Sequence, residues 1–115
     1  MPYTVNESKQ YDQPAAAVYQ AALGAVGGLE GKFLKQDDAG MQFSARFHKT
    51  ILGKTLGDRT EFRVKVSQPA EGQTDVEIEG FPVDAVGRKL MFGARKGVAN
   101  TVMSWFVAHL EHRLK

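Results

Sequence analysis

The sequence contains no cysteine. A disulfide framework, a thiol nucleophile and a cysteine metal site are excluded together. Long apolar runs are also missing, and the longest fall far short of a membrane-spanning helix. The opening MPYTVNESKQ is polar and has none of the apolar core of a secretory signal, so a cytoplasmic location is expected. Charge of one sign is scarce: 15 Lys and Arg against 13 Asp and Glu leave a net +2. That excess is too small to point to nucleic acid. Aromatic residues are not interleaved with basic ones along one strand, as a base-stacking platform requires, so no specific nucleic-acid partner is expected. What remains is a chain of 115 residues, 43% hydrophobic and 24% charged. That is one domain, 1–115, with room for a single core.

The pattern along the chain gives the elements. Tyr3 to Tyr11 alternates weakly and reads as an edge strand. Asp12-Gln13-Pro14 reads as a helix start, with Asp12 as the cap and Pro14 in the first turn. Val18, Ala22, Leu23 and Val26 share one face, and Gly27-Gly28 is expected to end the helix. Strands follow at Lys32–Lys35, Met41–Phe47, Glu61–Val66 and Asp75–Gly80, with turns at Asp37–Gly40 and Pro69–Gln73. Phe62, Val64, Val66, Val76 and Ile78 point inward. On the opposite face Arg63 and Lys65 are expected to meet Glu77 and Glu79 across a hairpin. The stretch from His48 to Leu56 is punctuated by glycine and fits neither period, and Phe81–Gly93 reads as a long connection.

From about Gly97 to Leu114 the chain reads as one long helix. Val98, Ala99, Val102, Met103, Trp105, Phe106, Val107, Leu110 and Leu114 cover about half its circumference, where roughly 100° suffices for a surface helix. Such a helix needs a curved sheet around it, a cavity beside it or a partner. The order of elements predicts an α+β fold: an antiparallel curved sheet of about five strands, with an N-terminal helix and the long C-terminal helix on one face.

Asp12-Gln13-Pro14-Ala15-Ala16-Ala17-Val18-Tyr19 resembles the opening of the START-like (Bet v 1-like, polyketide cyclase, SRPBCC) superfamily, where a first strand leads into an Asp-x-Pro turn and a helix. The wide-faced last helix is similar to the one that the family's sheet curls around in a helix grip. This chain is shorter than the family pattern, with about five strands rather than seven and one N-terminal helix rather than two. The resemblance implies binding of apolar small molecules or lipids, and in some members cyclase or hydrolase chemistry. No catalytic residue of the family has a match here.

Candidate sites follow from placement. An apolar or amphiphilic ligand between sheet and helix would be lined by Val102, Trp105, Phe106 and His109 from the helix and by Phe62 and Val64 from the sheet. The expected cavity is on the order of a few hundred Å³. His109 falls inside the apolar face by helical phase; it can serve a ligand, move a proton, or simply pack with one polar partner. Around the Leu90-Met91-Phe92 wedge, Arg88, Lys89, Arg95 and Lys96 suggest an anion or membrane-surface contact. Alternatively, Leu90 and Phe92 plug the open end of the sheet while the cations face water. A competing reading makes the apolar excess a homodimer or partner surface over a solid core. An enzyme using His109 as general base ranks last, because no orienting carboxylate is apparent. Gly53-Lys54-Thr55 is not a phosphate loop, since position 48 is His48 and not glycine. The histidines lack convergent partner ligands, so neither a metal nor a cofactor is expected.

Overall fold

The computed structural model describes residues 3–95 and 97–115. Strand β1 (Val5–Tyr11) is followed by helix α1 (Ala15–Gly28), strands β2 (Lys32–Asp37) and β3 (Gln42–Phe47), and a small hairpin of β4 (Thr50–Ile51) and β5 (Lys54–Thr55). Long strands β6 (Arg59–Ala70) and β7 (Gln73–Val83) come next, and helix α2 (Val98–Arg113) closes the chain. Five strands form one antiparallel sheet in the order β1-β7-β6-β3-β2. The α+β class, the five strands and the two helices on one face are as the sequence predicts.

Alternation sets which strand face is buried. Phe43, Ala45 and Phe47 on β3, Phe62, Val64 and Val66 on β6, and Val76 and Ile78 on β7 all join the core. The opposite face carries the expected charges in the expected register, and one of the two pairs closes as an ion pair. Arg63 stands across from Glu79 and Lys65 across from Glu77, with Arg63 Nη1 3.5 Å from Glu79 Oε1. Arg63 is largely exposed, so the pair fixes register more than it stabilises.

Helix α1 departs from the sequence reading at its start. Asp12 does not cap it; Pro14 holds the N-cap position and no side chain caps the first turn. Gly27 and Gly28 are its last two residues, with Leu29 as the cap. Glycine at 28, and at 24 one turn before, also has a tertiary reason. A Cβ at Gly28 would lie 2.8 Å from His109 Nδ1, and one at Gly24 would lie 2.5 Å from Arg113 Nε. The two glycines are spaced i, i+4 on one face, and their bare backbone is the floor on which α2 lays those two side chains.

Tyr19 ties α1 to the β2–β3 turn: its hydroxyl donates to Asp38 Oδ1 at 2.6 Å. Burial, then this bond, pushes the Tyr19 hydroxyl up to about 12, and the same bond holds Asp38 below its ordinary value. A carboxylate depressed in this way stabilises the fold above the ordinary carboxylate range, and that contribution fades as pH falls through its lowered folded value. Tyr19→Phe is therefore expected to move the Asp38 midpoint upward, as followed by carboxyl-carbon NMR. An unchanged midpoint would mean that the bond is not formed in solution.

The segment after β7 folds back over the outer face of the sheet. Lys89 Nζ sits 4.3 Å from the Phe81 ring centroid, Arg63 Cζ approaches the same ring at 5.1 Å, and Gly87 lies close against the Arg46 guanidinium. Phe81 and Val83 are thereby buried on the side away from the helices.

Candidate functional site

Between sheet and α2 the interior is filled. Phe62, Phe106 and Phe47 form an edge-to-face cluster with centroids 5.0, 5.3 and 6.5 Å apart, and all three are fully buried. Val102 is fully buried and Val64 nearly so. Four of the six expected lining residues, Phe62, Val64, Val102 and Phe106, therefore pack in a solid core, in place of the expected enclosed cavity.

The other two, Trp105 and His109, come together at an open groove of about 270 Å³ on the side of α2. Opposite them stands the β4–β5 hairpin, which contributes Ile51, Leu52 and Lys54. Ala108 forms the exposed shoulder and Leu29, just past α1, the buried floor. The wall is mainly apolar, with Lys54 and His109 as its polar groups. Lys54 Nζ stands 5.9 Å from the Trp105 ring centroid, within reach of a cation–π attraction. No carboxylate lines the groove among the described residues.

The hairpin is shaped for its position. Leu52 (φ 50°) and Gly53 (φ 81°) both take the left-handed conformation of a tight two-residue turn. Glycine accepts this freely, whereas for leucine it costs on the order of 1–3 kcal/mol. Glu30 helps to hold the strained residue, its Oε1 accepting the Leu52 N–H at 3.0 Å. Leu52 presents its side chain 57% exposed at the groove rim. Sequence reasoning missed Leu29, Ile51, Leu52, Lys54 and Ala108. The sole cue was Leu52-Gly53 as a turn between short β-prone pairs, and leucine is a poor signal for φ > 0.

Among the described residues, the cations Arg88, Lys89 and Arg95 each have a separate contact. Arg88 pairs with Asp84 at 3.3 Å, Lys89 covers Phe81, and the Arg95 N–H donates to Asp58 while its side chain lies against Gly57. Lys96 lies outside the described residues. Phe92 does not plug the sheet: it is 88% exposed. A larger hollow, about 820 Å³, lies on the outer sheet face. Arg63 in its wall pairs with Glu61 and Glu79, and Glu7, Lys35, Lys65 and Glu77 line it alongside apolar Leu34 and Phe43. Among the described residues no group of three or more acidic or histidine side chains is placed to hold a metal ion, and no helix is long and apolar enough to cross a membrane.

The same arrangement of sheet and gripped helix occurs in known structures. Ara h 8.0201 superimposes with a TM-score of 0.59 at 12% identity, over 97% of each chain. The fold is the Bet v 1-like helix grip. The di-domain aromatase/cyclase StfQ of the steffimycin biosynthetic pathway shares it at a TM-score of 0.61 and 9% identity; 92% of this chain matches, spanning 43% of that longer one. Zhui aromatase/cyclase from a Streptomyces species shares the helix grip at 0.50 and 10% identity, over 97% and 95% of the two chains. No family model matches the sequence, and no curated protein compared with it does. At such identities the likeness is one of fold. Within the helix grip, this chain has a single helix between its first two strands and an aromatic cluster between sheet and last helix.

Proposed function

We propose that the protein binds a small apolar or amphiphilic molecule in the groove between the β4–β5 hairpin and α2. The observation that carries this is the joining of Trp105, Ile51, Leu29 and Leu52 into one open apolar wall, with Lys54 and His109 as polar groups beside it. Apolar pockets with few polar groups are the usual form of small-molecule sites. The volume, about 270 Å³, suits a molecule of up to three rings or a short acyl chain. The helix-grip fold shared with aromatase/cyclases is in keeping with a small-molecule ligand. The full burial of Phe47, Phe62 and Phe106 supports a site on the flank of α2 rather than beneath it.

Trp105 is the sole tryptophan, so its emission reports on the groove directly. Titration with the uncharged fluorophore N-phenyl-1-naphthylamine is expected to quench it saturably. Ala108 is exposed, so Ala108→Arg fills the groove without touching the core. It is expected to weaken binding by at least about tenfold, or ~1.4 kcal/mol, with melting unchanged. Absence of saturable quenching in the wild type would overturn the reading, as would equal binding by the variant.

A further inference from the structure

The connection that leaves β7 holds a second exposed apolar feature, separate from the groove. Val86 is 72% exposed, Met91 44% and Phe92 88%. No other large apolar side chain among the described residues is as bare as Phe92.

The backbone beneath these side chains is tied down. The Asp84 carboxylate accepts the Val86 N–H at 3.0 Å and the Arg88 N–H at 2.9 Å, and its own N–H donates to the Arg88 carbonyl at 2.8 Å. Leu90 N–H donates to the Pro82 carbonyl at 2.9 Å, and farther on the Arg95 N–H donates to Asp58. The bonds to Arg88 hold Asp84 below the ordinary carboxylate range. Val86 is therefore presented from fixed backbone, and the Met91-Phe92 tip stands between tied ends at Leu90 and Arg95.

Charge selects the kind of partner. Between 84 and 97 the sequence has four cations, Arg88, Lys89, Arg95 and Lys96, against the single carboxylate of Asp84. That carboxylate is occupied by backbone N–H groups and by Arg88, whose side chain remains 82% exposed. Two copies meeting through this segment would bring like charges together in a two-fold contact. An anionic lipid surface has neither objection. It accepts aromatic and aliphatic tips at the boundary between headgroups and acyl chains, and it attracts cations to the headgroups.

We propose that the 84–95 connection is a membrane-docking wedge that places Phe92, Met91 and Val86 in the interface of an anionic bilayer, with its cations against the headgroups. The wedge does not depend on whether the groove binds a ligand.

Flotation of the full chain with lipid vesicles tests the wedge. Vesicles of phosphatidylcholine with roughly 30% phosphatidylserine are expected to carry the protein at about 50 mM salt, with at least about tenfold loss at about 500 mM salt or on phosphatidylcholine alone. Phe92→Ser, at a site with almost no contacts to lose, is expected to melt as the wild type does and to lose at least about tenfold of the vesicle binding. The wedge is overturned if the wild type floats with neither vesicle, or if Phe92→Ser floats equally well. It is likewise overturned if Phe92 instead drives concentration-dependent self-association without vesicle binding.

Discussion

Phe106→Ala is expected to lower the unfolding free energy by about 3–5 kcal/mol. A domain of this size has on the order of 5–15 kcal/mol in all, so the variant stands near the edge of folding. Phe106 is fully buried and meets Phe62 edge-on at 90°, with a second edge-on contact to Phe47 at 64°. Truncation loses the transfer free energy of the ring and both aromatic contacts, and leaves a void that neighbours wedged on every side cannot close. Urea denaturation of the two proteins gives the difference directly. The same variant probes function. Apolar cavities made in this way stay dry and take up small aromatic molecules. Benzene is therefore expected to raise the melting temperature of Phe106→Ala by more than that of the wild type, which offers only the groove beside α2. An equal rise in the two proteins would show that truncation opens no new site between sheet and α2.

Gly80→Val sets local preference against packing. Valine is among the best strand formers and glycine among the poorest, so propensity alone predicts a gain at this position in β7. The structure predicts a loss of about 1–3 kcal/mol. A Cβ at Gly80 would lie 2.7 Å from Phe62 Cε1 and 3.3 Å from Met103 Cε. The Phe62 ring cannot retreat, since Phe47 and Phe106 hold it at 5.0 and 5.3 Å. Thermal melting gives the sign. Adding Phe62→Leu to Gly80→Val is expected to recover part of the loss, because the two side chains compete for one volume. A melting temperature raised by Gly80→Val alone would mean that the cluster is loose enough to yield.

These two sites mark the limit of what local pattern reveals. The alternation on β3 and β6 placed Phe47 and Phe62 inward, and helical phase placed Phe106 on the apolar face. Nothing local says that the three rings meet and exclude a cavity. That depends on the distance between α2 and the sheet, which is set in part by the bare backbone of Gly80 beneath Phe62 and of Gly31 beside Phe47. The candidate site was legible to a similar extent. Trp105 and His109 stood out as bulky and polar groups on a greasy helix, whereas their partners on the hairpin carried no periodic signal at all.

The sequence by itself determined the five strands of the sheet, the two helices, the cross-strand placement of charge on the β6–β7 hairpin and the helix-grip order of elements. Each follows from side-chain alternation or from helical phase within a few residues. Tertiary structure alone decided that Gly24 and Gly28 of α1 must be bare, since that demand comes from His109 and Arg113, more than about eighty residues away along the chain. It also decided that Phe106 faces the core while its neighbour Trp105, about 100° round the helix, faces the groove. Helical phase sets the angle between two side chains, but the elements packed around the helix determine which of them meets the core and which meets an open groove.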